Sequence, residues 1–366
     1  MGWTDEEVAK ERPILEALAT FKYDEYQQFS PGMRFIESLA VWLSQFDIAE
    51  RRIAYKFIVS KLIFISESEI KHLVSIAYPD YIQQIMINSA LKINKGLSNL
   101  SIRQIVKTKE FKLLLRRSLF LGLSDGAHTD IFRRSNPSSI SHEQVYLTYE
   151  IADERAKDMQ EKLSDDIKIY CNENEIEQYA KFKIIFLIDD FTGSGTSYLK
   201  KDLTTQKYSG KIDKVLKNVY DENSNIYNMI DHDNLEICVL FYIATTKALT
   251  SIRHEMEVWL KEHNKNIKYE VISIQELTDN IRITSEFDKQ FIDILKKYYD
   301  NSIEDKHYRK GDCSEPYLGF DKCGLPLILN HNTPNNSLPI LWYEDDVENK
   351  KFIGLFPRVS RHRSEI

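Results

Sequence analysis

Two adjacent aspartates, Asp189 and Asp190, stand between a run of apolar residues and a loop rich in glycine and hydroxyl side chains. Carboxylates this close repel each other, so keeping both ionised requires a cation or hydroxyl donors nearby. A ribose diol or a magnesium ion would each meet that requirement. Asp189 and Asp190 are therefore the candidate catalytic pair, expected to hold a sugar diol or a Mg²⁺ cofactor.

The loop after the aspartates has the composition of an anion-binding site. Its glycines leave backbone N–H groups uncovered, its hydroxyls add donors, and a helix expected to follow would add its N-terminal dipole. Neither a GxxxxGK[ST] nor a GxGxxG sequence is present. The residues expected to bind a ribose phosphate are Thr192, Gly193, Ser194, Gly195, Thr196 and Ser197. The alternative interpretation is a solvated turn with capping Asp and Ser side chains.

The stretch IFLIDDFTGSGTS, residues 185–197, resembles the phosphoribosyl-pyrophosphate motif of type I phosphoribosyltransferases. That motif consists of apolar residues, two acids and a Thr/Ser/Gly loop. The resemblance implies that Asp189 and Asp190 hold the ribose hydroxyls and that residues 193–197 hold the 5′-phosphate. Gly193 and Ser194 stand where the family loop often has two threonines.

A transfer reaction of this kind displaces pyrophosphate from the anomeric carbon, so a second anion site must neutralise the leaving group, normally with magnesium. The stretch LFLGLSDGAHTDIFRR, residues 119–134, repeats the order of strand, small-residue turn and helix. We expect Ser124, Asp125 and Gly126 to bind pyrophosphate and Arg133 or Arg134 to neutralise it. Two arginines that end a solvated helix are an equally good interpretation.

The elements that must position these residues follow from the hydrophobic pattern. Apolar runs at 118–123, 182–188, 235–244 and 267–274 predict strands, and helical patterns lie between them. This alternation predicts an α/β fold with a parallel sheet, in which ligands bind beyond the carboxyl ends of the strands. The stretch 204–234 is polar and resembles an insertion in this pattern.

The two ends of the chain differ from this middle region. Residues 1–110 have helical spacing and predict a helical domain, followed by a core at 111–300 and a loop-rich segment at 301–366. Within that last segment, the side chains of His331, Asn332, Asn335 and Asn336 could read the edge of a base. A tight turn is the alternative, because Pro-Asn-Asn is common in turns.

Four separated motifs resemble the phosphoribosyltransferase-like effectors of bacterial conflict systems, some of which are encoded beside retron reverse transcriptases in anti-phage operons. The motifs are FLGLSDGAHTDIFRR, FLIDDFTGSGTS, GLPLILNHNTPNNSLPILW and LFPRVSRH. The resemblance implies a type I phosphoribosyltransferase-like core with an N-terminal helical domain and a C-terminal hood. It also implies a toxic effector that works with a reverse transcriptase or another defence-operon partner and nucleic acid.

Composition limits the possible functions. A net charge of −7 over 366 residues argues against a dedicated nucleic-acid coat, because such proteins need a basic surface. The four cysteines lack zinc-type spacing and are expected to be reduced thiols. The N-terminus lacks an apolar signal core and no apolar run has membrane-spanning length, so we expect a cytoplasmic protein without a membrane partner.

Three classes of function fit these residues. An enzyme would transfer from a ribose-phosphate donor or cleave a nucleotide N-glycosidic bond, using carboxylates beside an oxocarbenium-like centre. A catalytically inactive module would sense a ribose-phosphate or nucleotide ligand on the same fold. An assembly protein, monomeric or oligomeric, would bind a partner through the helical region. It would contact an RNA–DNA hybrid through the basic positions Arg358, Arg361 and Arg363. We favour the enzyme.

Overall fold

The computed structural model describes residues 2–147, 150–304, 308–343 and 352–358. The chain divides into two units, one made of Met1–Glu69 with Thr278–Ile366 and the other of Ile70–Leu277. The domain boundaries expected near residues 110 and 300 stay predictions. Arg361, His362 and Arg363 lie outside the described residues.

The strands and helices follow one another along the chain. The strands are β1 (Ile63–Ile65), β2 (Ser118–Gly122), β3 (Val145–Tyr146), β4 (Ile184–Thr192), β5 (Lys200–Lys201), β6 (Tyr208–Ser209), β7 (Glu236–Thr245), β8 (Lys268–Leu277) and β9 (Leu327–Leu329). The helices are α1 (Asp5–Phe21), α2 (Phe35–Ser44), α3 (Ile48–Lys61), α4 (Glu67–Ile76), α5 (Gln83–Ile93), α6 (Ile102–Ile105), α7 (Lys109–Arg116), α8 (Thr129–Ser135), α9 (Asp153–Ile167), α10 (Glu173–Tyr179), α11 (Lys211–Tyr220), α12 (Asn225–Met229), α13 (Thr246–Glu262), α14 (Lys289–Lys297) and α15 (Pro339–Trp342).

A parallel sheet organises the Ile70–Leu277 unit. Its five strands lie in the order β3-β2-β4-β7-β8, with β4 at the centre. Strands β4 and β7 are buried along almost their whole length, as expected of parallel strands with both faces covered. The predicted α/β fold and its four expected strands are confirmed.

Two helices of this unit, α11 and α12, come from the polar stretch 204–234, whose interpretation as an insertion stays a prediction. Helix α11 buries Ile212, Val215, Leu216 and Val219 in the core cluster on the sheet. These positions have helical spacing, but lysines and asparagines between them dominate the composition. The spacing of the apolar residues therefore predicts helix α11, whereas the mean polarity of the stretch does not.

The other unit is mainly helical, with one difference from the expected pattern. Strand β1 lies inside the region 1–110 that was expected to be helical throughout, and it pairs in parallel with β9. Helix α2 begins at Phe35, where the carboxylate of Asp24 accepts the N–H of Phe35 at 2.9 Å. In the described ranges of both units, every helix is too short or too polar to cross a bilayer.

Replacing Leu216 by alanine should lower the free energy of unfolding by about 2–5 kcal/mol, because the side chain is fully buried and a cavity would remain. The matched control is Leu203→Ala, whose side chain is 84% exposed and should change stability by less than about 0.5 kcal/mol. Urea denaturation followed by circular dichroism measures both. Equal effects of the two substitutions would show that α11 is not part of the core.

Candidate functional site

Asp189 lies on β4 near its carboxyl end and is 0% exposed. Its Oδ1 accepts hydrogen bonds from the Ser124 hydroxyl and from the N–H of Asp190, the latter at 3.1 Å. Its Oδ2 lies 2.6 Å from Lys211 Nζ and 2.8 Å from the Tyr198 hydroxyl. The Tyr198 hydroxyl also lies 2.9 Å from the carbonyl oxygen of Phe191, so the two acceptors share its single hydrogen. With these groups around it, Asp189 has its hydrogen-bond partners within the protein.

The electrostatics of Asp189 depend on a balance of opposite effects. Burial raises its pKa, and the neighbouring Asp190 raises it further, whereas the Lys211 ammonium and the Ser124 hydroxyl oppose the rise. Burial prevails and the pKa is raised. Lys211 is therefore the charge that favours the ionised carboxylate, and removing one partner of such a buried pair leaves the other uncompensated.

Asp190 is half-buried and lies against the second predicted loop. A Cβ added to Gly126 would meet the Asp190 Cγ and Oδ2 at 2.5 Å. An alanine at position 126 would therefore force the Asp190 carboxylate to shift, and the constraint comes from space and not from a positive φ. The Ser124–Asp189 hydrogen bond and the close approach of Gly126 to Asp190 bring the Ser124–Gly126 loop next to the acid pair.

The Ser124–Gly126 loop ends in a short turn before α8, with His128 at a φ of 45° between them. The hydroxyl of Tyr242, from β7, donates to the carbonyl oxygen of Ala127 at 2.7 Å. Burial raises the pKa of Tyr242, and the nearby Asp189 and Asp190 add to the rise, so the phenol stays neutral and remains a donor. This hydrogen bond fixes the loop from the sheet side.

The TGSGTS loop is held by its own hydroxyls. Thr192 Oγ1 accepts from the N–H of Gly195 at 3.2 Å, and Ser194 Oγ accepts from the N–H of Thr196 at 3.3 Å. Thr192 and Ser194 are 3% and 4% exposed, whereas Thr196 is half-buried and Ser197 is exposed. The accessible hydroxyls therefore belong to the last two residues of the loop.

The sheet also supports this loop, through the residues that end β7 and begin α13. Thr245 Oγ1 donates to the carbonyl oxygen of Gly193 at 2.7 Å. Gly195, at a φ of 80°, lies so close to α13 that an added Cβ would meet Ala248 O at 3.0 Å. Both contacts limit the positions that the loop backbone can take.

The helix expected directly after the loop is absent, so the prediction that a helix dipole contributes to anion binding there was wrong. Residues 193–199 form bends and turns, followed by the β5–β6 hairpin and only then by α11. The left-handed backbone of Gly195 and the burial of Tyr198 explain the difference, because they turn the chain back toward the sheet.

Arg133 and Arg134 lie in the last turn of α8. Arg133 is half-buried and Arg134 is exposed, and neither has an ion pair or side-chain hydrogen bond among the described residues. Arg133 is four residues into the helix, about 6 Å along its axis from Thr129. Among the described residues neither guanidinium has a hydrogen bond to the Ser124–Gly126 loop, and their pyrophosphate role stays a prediction.

His331, Asn332, Asn335 and Asn336 belong to the unit made of Met1–Glu69 and Thr278–Ile366. The Asn336 amide is 7% exposed and donates to Phe320 O at 3.2 Å and to Cys323 Sγ at 3.3 Å. Asn332 Oδ1 accepts the N–H of Thr333 at 3.0 Å. These contacts favour the turn interpretation for both asparagines, and base recognition by this segment stays a prediction.

Sequence reasoning missed the residues that support the acid pair. Thr245 could have been found, because it is a polar residue at the carboxyl end of a predicted strand, where sites form. Tyr242 lies inside an apolar run, and Lys211 is separated from Asp189 by a hairpin. No short-range pattern points to either, because the contacts arise only when the sheet and α11 assemble.

Gly126→Ala should cost about 1–3 kcal/mol of stability, because the new methyl group overlaps the Asp190 carboxylate. In an Asp190→Ala background the same change should cost much less, since the overlapping atoms are gone. Urea denaturation of the four proteins in this cycle measures the coupling. Strictly additive effects would contradict the close packing of Gly126 on Asp190.

Comparison with known protein families gives one result. The sequence matches the PRTase-CE family over residues 39–358, a range that contains both loops and the acid pair. Neither the curated proteins nor the solved structures compared with the chain gave a match. The central parallel sheet agrees with a phosphoribosyltransferase-like core. The matched range covers most of the sequence, and the chain belongs to the PRTase-CE family of phosphoribosyltransferase-like proteins.

Proposed function

We propose that the protein binds a ligand with a ribose 5-phosphate group and acts at its anomeric carbon, by phosphoribosyl transfer or by cleavage of a nucleotide N-glycosidic bond. Family membership supports a phosphoribosyltransferase-type function. The observation that carries the proposal is the meeting of both anion loops at the acid pair, through Ser124 on Asp189 and Gly126 against Asp190. A ribose with phosphates at both ends needs this arrangement.

The two aspartates have different roles in this proposal. Asp189 is fully buried and already accepts four donors, so it positions the loops and does not touch the ligand. Asp190 is half-buried and accepts the ribose hydroxyls. This division revises the equal roles inferred from the sequence motif.

The phosphate loop divides in a similar way. The hydroxyls of Thr192 and Ser194 hold the loop backbone, as their hydrogen bonds to loop amides indicate. The hydroxyls of Thr196 and Ser197 are accessible and donate to the 5′-phosphate in our proposal. A phosphate there gains hydrogen bonds from a loop that is already shaped, which reduces the entropic cost of binding.

Magnesium fits this site as an ion shared with the ligand. In the part of the chain that the structure describes, no group of three or more His, Cys, Asp or Glu side chains could hold a metal. Mg²⁺ is usually bound by one or two carboxylates plus substrate phosphates, and Asp190 beside the Ser124–Gly126 loop suits that role. The ion would neutralise charge on a leaving pyrophosphate.

The biological role follows from the resemblance to anti-phage effectors. We propose that the enzyme is toxic when activated, by depleting or modifying a nucleotide or another acceptor of the ribosyl group. A reverse transcriptase or another defence partner with nucleic acid would control it. The second candidate is a module that senses a nucleotide without turnover. The burial of Asp189 favours this candidate, because it leaves one acid of the pair to act on the ligand.

Calorimetry tests the ligand assignment directly. Wild-type protein with Mg²⁺ should bind 5-phosphoribosyl 1-pyrophosphate, and Asp190→Asn should weaken binding about tenfold to a hundredfold, the cost of losing hydrogen bonds to a charged group. Asp233→Asn, at an exposed position, is the control and should bind as the wild type does. Absence of binding by the wild type would overturn the proposed function.

Untargeted mass spectrometry of cell extracts after induction tests the catalytic assignment. Wild type should change the level of at least one nucleotide or ribose-phosphate metabolite, and Asp190→Asn should abolish that change together with toxicity. Binding in the calorimeter without any metabolite change would favour the sensing function. Full toxicity of a folded Asp190→Asn protein would exclude Asp190 from the reaction.

A further inference from the structure

Lys211, the first residue of α11, brings a positive charge to the acid pair. Its Nζ lies 2.6 Å from Asp189 Oδ2 and 4.8 Å from the centre of the Tyr198 ring. Its side chain is 25% exposed, although its partner carboxylate has no exposed surface. The lysine side chain is therefore partly accessible, whereas the carboxylate with which it pairs is not.

The backbone around Lys211 is fixed to the end of the phosphate loop. The N–H of Lys211 donates to Ser197 O at 3.2 Å, and the N–H of Ile212 donates to Tyr198 O at 2.8 Å. At Gly210, which has a φ of 120°, an added Cβ would clash with the carbonyl of Tyr198. The chain can approach this closely only because position 210 is glycine, and this approach delivers Lys211 to the loop.

A second ion pair on the same helix provides a comparison. Lys217 Nζ lies 2.6 Å from the carboxylate of Asp213, whose side chain is 3% exposed. The lysine side chain is 60% exposed, and Asp213 also accepts from the Trp259 indole N–H at 3.3 Å. Through Trp259 this pair connects α11 with α13, and it has the same nitrogen–oxygen separation as the pair of Lys211 with Asp189.

The charges of the site require a cation near the phosphate. Two carboxylates beside a phosphate dianion would repel it, because like charges a few ångströms apart interact strongly at a partly buried site. Lys211 has three N–H donors, and the acid pair uses one of them. The backbone N–H of Lys211 donates to Ser197, the last residue of the Gly193–Ser197 loop. A phosphate held by this loop would therefore be close to Lys211.

We propose that Lys211 donates to an oxygen of the 5′-phosphate held by residues 193–197 while it remains paired with Asp189. This inference rests on the proposed function and names a binding residue for it. The site would then recognise a phosphorylated sugar through a lysine supplied by α11.

A role confined to the ion pair with Asp189 is the competing explanation, and a double-mutant comparison separates the two. In an Asp189→Asn protein, Lys211 loses the carboxylate with which it forms its ion pair. If it acts only through Asp189, adding Lys211→Met to that protein changes nothing at the ligand. If it contacts the phosphate, the addition weakens binding further.

The experiment is calorimetry with ribose 5-phosphate, with urea denaturation to confirm that each variant is folded. We expect Lys211→Met to weaken binding at least about tenfold in the wild-type background and about tenfold in the Asp189→Asn background, as for loss of a charge-assisted hydrogen bond. Lys217→Met is the matched control and should bind within about twofold of wild type. If Lys211→Met alone does not fold, the comparison in the Asp189→Asn background decides.

Three results would overturn the inference. Binding unchanged by Lys211→Met in the Asp189→Asn background would confine Lys211 to the ion pair. An equal loss for Lys217→Met would show a general effect of charge or of α11 packing. Both results would leave the proposed function standing if the wild type binds ribose 5-phosphate, whereas a wild type that binds neither this probe nor 5-phosphoribosyl 1-pyrophosphate would remove the proposed function and the role of Lys211 together.

Discussion

A carboxylate with no exposed surface must be compensated by charge and hydrogen-bond donors, and Asp189 imposes this requirement on the whole candidate site. Its donors come from three separate parts of the chain: Ser124 before α8, Tyr198 after the TGSGTS loop, and Lys211 at the start of α11. One buried acid thus joins segments that are far apart in sequence. The geometry of the site follows from satisfying it.

Strand β7 supplies the second level of organisation, because each of the two candidate binding loops accepts a hydrogen bond from one of its hydroxyls. Tyr242 holds the carbonyl of Ala127, and Thr245 holds the carbonyl of Gly193. Both hydroxyls are on one strand of a rigid sheet, so the two loops share a common support. Groups fixed on such a support lose little freedom when a ligand binds, and this suits the proposed ligand with a phosphate at each end of a ribose.

The sequence predicted the parts of this arrangement that depend on local patterns. Apolar runs identified the strands, and the acids and small residues at their ends identified both loops, because parallel strands bring these ends to one edge. The support of Asp189 was not predictable, since the contact of Lys211 with Asp189 is made across a hairpin. The helix expected after Ser197 does not form, because Gly195 has a left-handed backbone and the Tyr198 side chain is buried. The sequence alone reveals neither feature.

The hairpin between Ser197 and Lys211 has a fixed base and an exposed tip at 202–207. Because the base is closed by backbone hydrogen bonds, extra residues at the tip would add only a small loop-closure entropy and would leave the ammonium of Lys211 where it is. The hairpin tip can therefore vary in length without moving the residues at its base. A fluorophore or an affinity tag inserted at the tip would lie near the candidate site without replacing any of its residues.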